Sequence, residues 1–271
     1  MFLIYINMFG NWIHNIDELH KQFISSGSVK YVTIDNFLTE EWAEKLNQEF
    51  PLPELSDAPW KKFDDPVERR YTLWNFKGVQ SVVDVVNASH SIQFIKYIER
   101  ITGFENLLID PKYEHATGLT ALPRNGKLGV HLDVTINKES GTQRRCNLLI
   151  YLNKDWKAEY GGALQVGDSP TACKDIIAPS WNTAVILENS PISYHGVPIP
   201  LKCPEGEYRK NLAIYYSSLP TDDVEKKYRA KWVIDSSQIT TPNLKRIYDI
   251  RCDRAITQDD LKDWPTWRED T

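Results

Sequence analysis

Apolar positions near the start of the chain follow helical spacing, and those after about residue 106 follow the alternation of strands. In IDELHKQFISS, residues 16 to 26, Ile16, Leu19, Phe23 and Ile24 recur at the interval of one helix face. KYVTIDNF then alternates as a strand does. In FLTEEWAEKLNQEF, Thr39 stands at the N-cap of a second helix with Trp42, Leu46 and Phe50 inward, and PLPELSDAP stops it. A charged and aromatic stretch, WKKFDDPVERRYTLW, leads to a further helical pattern in SHSIQFIKYIERITG. From there on short runs are separated by Gly, Pro and Asn: GKLGVHLDVTI, RRCNLLIYLN, GGALQVGD, CKDIIAPSWNTAVILE, YHGVPIP and YRKNLAIYYSS. Such a series predicts a β-sandwich or barrel rather than repeated βαβ units, and a jelly roll (double-stranded β-helix) fits it best. The expected class is α+β with a mainly β core and N-terminal helices packed against it. After Leu219 the chain turns polar, with Pro242 and Pro265 interrupting short segments. There DDVEKKYRAKWV reads as a helix and DDLKDWPTWRED as a surface appendage. The expected division is residues 1–105 as support and substrate lid, 106–220 as core and 221–271 as a C-terminal extension, in one integrated domain.

Composition narrows the classes. A chain of 271 residues with 41% hydrophobic and 25% charged residues is globular rather than disordered. A formal charge of -5, with no basic aromatic stripe, gives no general attraction to nucleic acid or anionic membrane. The opening MFLIYINMFGNW has no basic leader and only a short apolar run, so neither a secretory signal nor a membrane span is expected. Cys146, Cys173, Cys203 and Cys252 lack CxxC spacing and suit a reducing, cytoplasmic setting.

The chemistry gathers around HLD. His131 and Asp133 are two residues apart, so on an extended strand both side chains point to one side, as a chelate requires. Alone, such a triplet reads more often as a hydrogen-bonded pair on a sheet surface. His195 in YHGVPIP adds the second imidazole of a two-histidine, one-carboxylate facial triad, the donor set of non-haem Fe(II) oxygenases. If 2-oxoglutarate completes the iron site, its distal carboxylate needs a cation. Arg209 supplies a planar fork that stays charged, and alternation in YRKNLAIYY puts Arg209 and Asn211 on one face and Lys210 on the other.

HLD, RRCNLLIYLNKDW, YGGALQV, YHGV and YRKNLAIYY, in this order and over roughly residues 110 to 218, resemble the Fe(II)/2-oxoglutarate-dependent dioxygenases of the prolyl-hydroxylase-like group. The resemblance implies His131, Asp133 and His195 as iron ligands, Arg209 as the partner of the distal carboxylate of 2-oxoglutarate, and Tyr151 near that carboxylate. Tyr151 shares a strand face with Asn147, a further pocket contact, and its phenol can donate a hydrogen bond. Gly161 and Gly162 serve as a turn. The resemblance further implies O2 as cosubstrate, succinate and CO2 as products, and hydroxylation of an unactivated C–H bond. Asp133 fills the ligand position that halogenating relatives leave to a halide. Peptidyl proline, an amino acid and another small metabolite remain the alternatives for a peptide or small-molecule substrate. A non-catalytic jelly-roll module with a vestigial metal site is the competing reading.

Other residues carry weaker expectations. His14, His20, His90 and His115 read as structural or surface histidines, and Arg124, Arg144 and Arg145 as groups able to meet an anionic or polar substrate near the open face or as solvated loop charges. Tyr71, Trp74 and Phe76 suggest a substrate wall, Trp181 a pocket cover, and at most one of Tyr215 and Tyr216 an inward ring.

Overall fold

The computed structural model describes residues 6–108, 117–171, 173–235, 238–262 and 264. Its N-terminal part contains α1 (Ile16–Ser25), β1 (Tyr31–Ile34), α2 (Glu40–Gln48), β2 (Lys61–Asp64), β3 (Glu68–Leu73), α3 (Gln80–Ser89) and α4 (Ile92–Thr102). The strand-rich part follows with β4 (Gly118–Leu122), β5 (Lys127–Leu132), β6 (Gln143–Tyr151), β7 (Leu164–Gly167), β8 (Asp175–Ile177), β9 (Ala184–Glu188), β10 (Tyr194–Val197) and β11 (Arg209–Ser218). A short β12 (Lys231–Trp232) and α5 (Pro242–Asp253) complete it. The strands run in the order β1-β9-β6-β11-β4-β3-β5-β10-β7-β8, with β2 on β3 and β12 on β5, all antiparallel. This sheet curls into the half-barrel of a jelly roll. β3, β4, β6 and β11 form one wall of a cavity, and β5, β7 and β10 contribute the opposite wall.

Strand alternation divides the chemistry from the core. On β11, Leu212, Ile214 and Tyr216 join the apolar core shared with the helices, while Arg209, Asn211, Ala213 and Tyr215 line the cavity. On β6, Leu148 and Ile150 face the helices and Asn147 and Leu149 the cavity. The helix α4 shows why the helical layer forms. Ser91 Oγ accepts from the Phe94 N–H at its start, and Gly103, at φ 76°, ends it in the left-handed conformation. Phe94, Ile95, Ile98 and Ile101 between them are buried against the sheet, each contributing about 1.5–3 kcal/mol of transfer free energy.

Several expectations are corrected. Ile24 is half exposed, because the buried face of α1 is Ile16, Leu19 and Phe23 and the next residue turns away from it. Thr39 occupies the N-cap of α2, but its hydroxyl donates to the Asn7 carbonyl instead of capping the helix. DDVEKKYRAKWV is not helical: the backbone at Lys227 exchanges hydrogen bonds with Thr135, and Lys231 and Trp232 pair with β5 as a strand. Pro242 does not interrupt a segment; it starts α5, where a missing N–H costs nothing, and Thr241 caps the Leu244 N–H. Of the expected appendage, Leu261 and Trp264 pack against the α5 and β12 cluster, and residues 265–271 lie outside the described residues. Among the described residues no helix is long and apolar enough to cross a membrane.

Candidate metal centre

β5 and β10 bring two histidines face to face. Their register pairs His195 with His131, and it then shifts so that Val197 meets Leu128. Gly196 makes the approach possible: a Cβ there would lie 2.8 Å from the carbonyl oxygens of both Leu128 and Gly129. The two imidazoles sit 4.5 Å apart, centroid to centroid, with Asp133 just beyond the end of β5. His131 Nε2 is 3.5 Å from Asp133 Oδ1, and His195 Nε2 is 3.8 Å from Asp133 Oδ2.

Hydrogen bonds on the far side of each ring set its tautomer. His131 Nδ1 lies 2.9 Å from the Gly129 carbonyl and His195 Nδ1 2.9 Å from that of Ser193, so each Nδ1 carries the proton and each Nε2 turns a lone pair inward. Burial and the adjacent His131 ring push the His195 pKa down, which favours the neutral ligand form. Two inward lone pairs facing a buried carboxylate repel unless a cation stands between them. His131, Asp133 and His195 could hold a metal ion, each offering one atom, all within 4.8 Å of one another. Asn147 Nδ2 donates to Asp133 Oδ2 at 3.3 Å, so it braces the carboxylate, and its Oδ1 has no partner. Trp232 stacks on His131 at 4.5 Å and shields it.

A second polar element is built around Arg209. Its side chain is 3% exposed, with Nε donating to the Gly162 carbonyl at 2.5 Å and Nη1 to Asn211 Oδ1 at 3.2 Å. Among the described residues no carboxylate pairs with it. The guanidinium lies 4.9 Å from the centre of the Tyr151 ring, and the fully buried Tyr151 hydroxyl lacks a hydrogen-bond partner. Burial pushes that phenol up, so it remains a donor. A buried cation without an anion and an orphaned hydroxyl beside it fit the carboxylate of a bound acid. Gly162, at φ 80°, leaves 3.0 Å between its missing Cβ and Arg209 Cδ, and thereby seats the guanidinium.

The structure thus brings together all six residues expected at the site: His131, Asp133, His195, Asn147, Arg209 and Tyr151. Asn147 sits beside the carboxylate of Asp133 rather than beside Arg209. Lys210 faces away and bonds Asn47. Tyr215 lines the cavity, whereas Tyr216 is buried on the helix side with its hydroxyl on the Ser89 carbonyl. Of the expected wall, Trp74 lines the cavity; Tyr71 and Phe76 belong to the core. Trp181 bonds Glu40 and is not part of the lining. Arg124 donates to the Cys203 carbonyl, and His20 and His90 bond backbone carbonyls of helices. His115 lies outside the described residues. Sequence reasoning missed Arg70, Trp232 and Arg251 in the lining. The alternation in VERRYTLW carries a signal for Arg70 and Thr72, which share a face with Trp74.

Comparison with known proteins agrees with this geometry. Residues 117–217 match the sequence family of the 2OG-Fe(II) oxygenase superfamily. No curated protein sequence matches the chain. Among solved structures, a prolyl hydroxylase from Trichoplax adhaerens in complex with a peptide of hypoxia inducible factor is similar with a TM-score of 0.56 at 17% identity, covering 77% of this chain and 94% of that one. A Pseudomonas putida prolyl-4-hydroxylase gives 0.54 at 15%, covering 74% and 98%. A prolyl 4-hydroxylase structure from Phytophthora capsici gives 0.55 at 21%, covering 76% and 64%. At these identities the likeness is one of fold. The segment that matches the 2OG-Fe(II) oxygenase superfamily holds both histidines, the aspartate and the buried arginine.

Proposed function

We propose that the protein is an Fe(II)/2-oxoglutarate-dependent hydroxylase in which His131, Asp133 and His195 ligate the iron and Arg209, with Tyr151, receives the distal carboxylate of 2-oxoglutarate. The observation that carries this reading is the pairing, in one cavity, of a three-residue donor set with a buried arginine that lacks an anion. When bound, Fe(II) with 2-oxoglutarate and O2 supplies the oxidising power to hydroxylate an unactivated C–H bond, with 2-oxoglutarate converted to succinate and CO2. The chain's own residues bind, orient and exclude. Three ligands on one side leave the opposite side of a metal ion open. Asn147 fixes the carboxylate of Asp133, and the two backbone carbonyls fix the histidine tautomers. Leu149, Leu164 and Val197 keep part of the lining apolar, and Trp232 covers the His131 ring. No side chain needs to act as a general acid or base.

Anaerobic titration with Fe(II) and then 2-oxoglutarate, followed by visible absorption, tests the assignment directly. A charge-transfer band should form only when both are present, and oxygen with a competent substrate should yield succinate and a product heavier by one oxygen. His131→Ala and Asp133→Ala should each abolish the band. If both variants develop it as the parent protein does, the ligand set is wrong.

A further inference from the structure

The charge of the cavity opposes that of the chain. The protein carries a formal charge of -5, yet Arg70, Arg144, Arg209, Arg229 and Arg251 line the cavity against one acidic lining residue, Asp133. Arg209 is accounted for by 2-oxoglutarate in the reading above, and the others are not. Arg144 lies on the far side of the triad from Arg209. Along β6 the order runs from Tyr151, beside Arg209, through Asn147, bonded to Asp133, to Arg144. The Arg144 guanidinium lies 4.4 Å from the centre of the Tyr215 ring. Tyr215 is itself about 20 Å of strand from Arg209 along β11, a separation that no molecule of 2-oxoglutarate spans.

Arg144, Arg70 and Arg251 are held in place and together keep a positive excess. A register shift opposite Tyr216 and Ser217 makes Arg145 the extra residue of a bulge in β6, so Arg144 turns into the cavity while Arg145 turns to Phe104. Among the described residues Arg144 has no carboxylate partner. Arg70 and Arg251 share the fully buried Glu68, which leaves the trio with a positive excess. Arg251 also lies 4.8 Å from the centre of the Trp232 ring, whose buried indole N–H lacks an acceptor. We propose that the substrate is a compact molecule bearing an anionic group, a carboxylate or a phosphate, that docks on Arg144 and the Arg70–Arg251 pair and so presents a C–H bond at the triad. This rests on the Fe(II)/2-oxoglutarate reading. A cavity of about 370 Å³, shared with 2-oxoglutarate, is in the range of small-molecule sites and favours a compact substrate over a macromolecule.

The test is calorimetric titration of the protein, loaded anaerobically with Fe(II) and saturating 2-oxoglutarate, with matched probes. These are short carboxylic acids and their primary amides, phosphate monoesters and their parent alcohols, and an oligoglutamate peptide. The charged member of a pair should bind and its neutral counterpart should not, and whether acids or phosphates lead identifies the group. Arg144→Gln should weaken that binding about tenfold or more, the loss of at least one charge-assisted hydrogen bond. Arg229→Gln, at an exposed position on the same lining, should weaken it in the same direction. Arg145→Gln removes the same charge from the opposite face and should leave it intact. Equal binding of neutral and charged probes would overturn the proposal. So would equal losses in Arg144→Gln and Arg145→Gln, binding of oligoglutamate alone, or no anionic probe binding to the loaded protein. Failure to load Fe(II) and 2-oxoglutarate would instead defeat the functional reading, and would be seen before any probe is added.

Discussion

At the scale of single residues, Arg209 shows function held at a cost in stability. Its guanidinium is removed from water, and its partners, the Gly162 carbonyl and the Asn211 amide, are neutral. Burying a charge without a counter-charge is unfavourable by several kcal/mol. Arg209→Met should therefore leave the melting temperature of the ligand-free protein no lower than that of the parent. The same change should weaken 2-oxoglutarate about a hundredfold or more, because two charge-assisted hydrogen bonds, each of about 1.5–3 kcal/mol, disappear. Thermal melts with and without 2-oxoglutarate measure both at once. A large drop in the ligand-free melting temperature with unchanged 2-oxoglutarate binding would make Arg209 a structural residue. Its place in the cavity is legible in the sequence because β11 pairs in regular register with β4 from Arg209 to Ala213 and with β6 from Asn211 to Tyr216, so period-two alternation assigns its faces without error. Arg144 is not legible in that way. Unbroken alternation from Asn147 selects Arg145 for the cavity, and only the bulge exchanges the two.

The next scale is that of paired strands, and here the site depends on how closely β10 lies on β5. Gly196 sits between His195 and the backbone of Leu128 and Gly129, where a methyl group has no room. Gly196→Ala must push the strands apart, so it should cost about 1–3 kcal/mol of stability, as overpacking does. It should also lower Fe(II) affinity, since His195 moves away from His131 and Asp133. Urea denaturation and Fe(II) titration check the two effects separately; a destabilised variant with parental Fe(II) affinity would show that the triad does not depend on this contact. The strands of the core were readable from their alternation and their turn residues. The C-terminal elements were not, because tertiary contacts overrode local propensity. Thr135 and β5 hold the 222–232 segment extended despite its helix-favouring Glu and Lys residues. Pro242, usually a helix breaker, takes the one helical position that tolerates it.

Over the whole molecule, the sheet through β4, β6 and β11 is a common wall with the helices on one side and the cavity on the other. Net charge averages over this arrangement, which is why a composition that argues against anionic partners in general coexists with an arginine-lined cavity. Cys146 stands in that wall on the helix side, fully buried and free. Burial pushes its thiol up to about 12, with Glu188 adding to the shift and Arg145 opposing it. In the unfolded chain an ordinary thiol titrates near about 8.5. The folded state therefore holds the proton more tightly, and Cys146 subtracts from stability as pH rises from that value toward 12. At pH 8 native Cys146 carries no thiolate, so iodoacetamide should reach it only through unfolding. Because ionisation of the unfolded thiol also draws the equilibrium toward unfolding, its labelling rate should keep rising with pH through the window between the two values. Fe(II) with 2-oxoglutarate, which bind the folded state, should slow that labelling in proportion to the stability they add. Mass spectrometry of the alkylated peptides resolves Cys146 from the half-buried Cys173 and Cys252. Labelling of Cys146 that is unaffected by both cofactors at saturation would mean that the helix side of the sheet opens without disturbing the cavity, and the common wall would not couple the two sides.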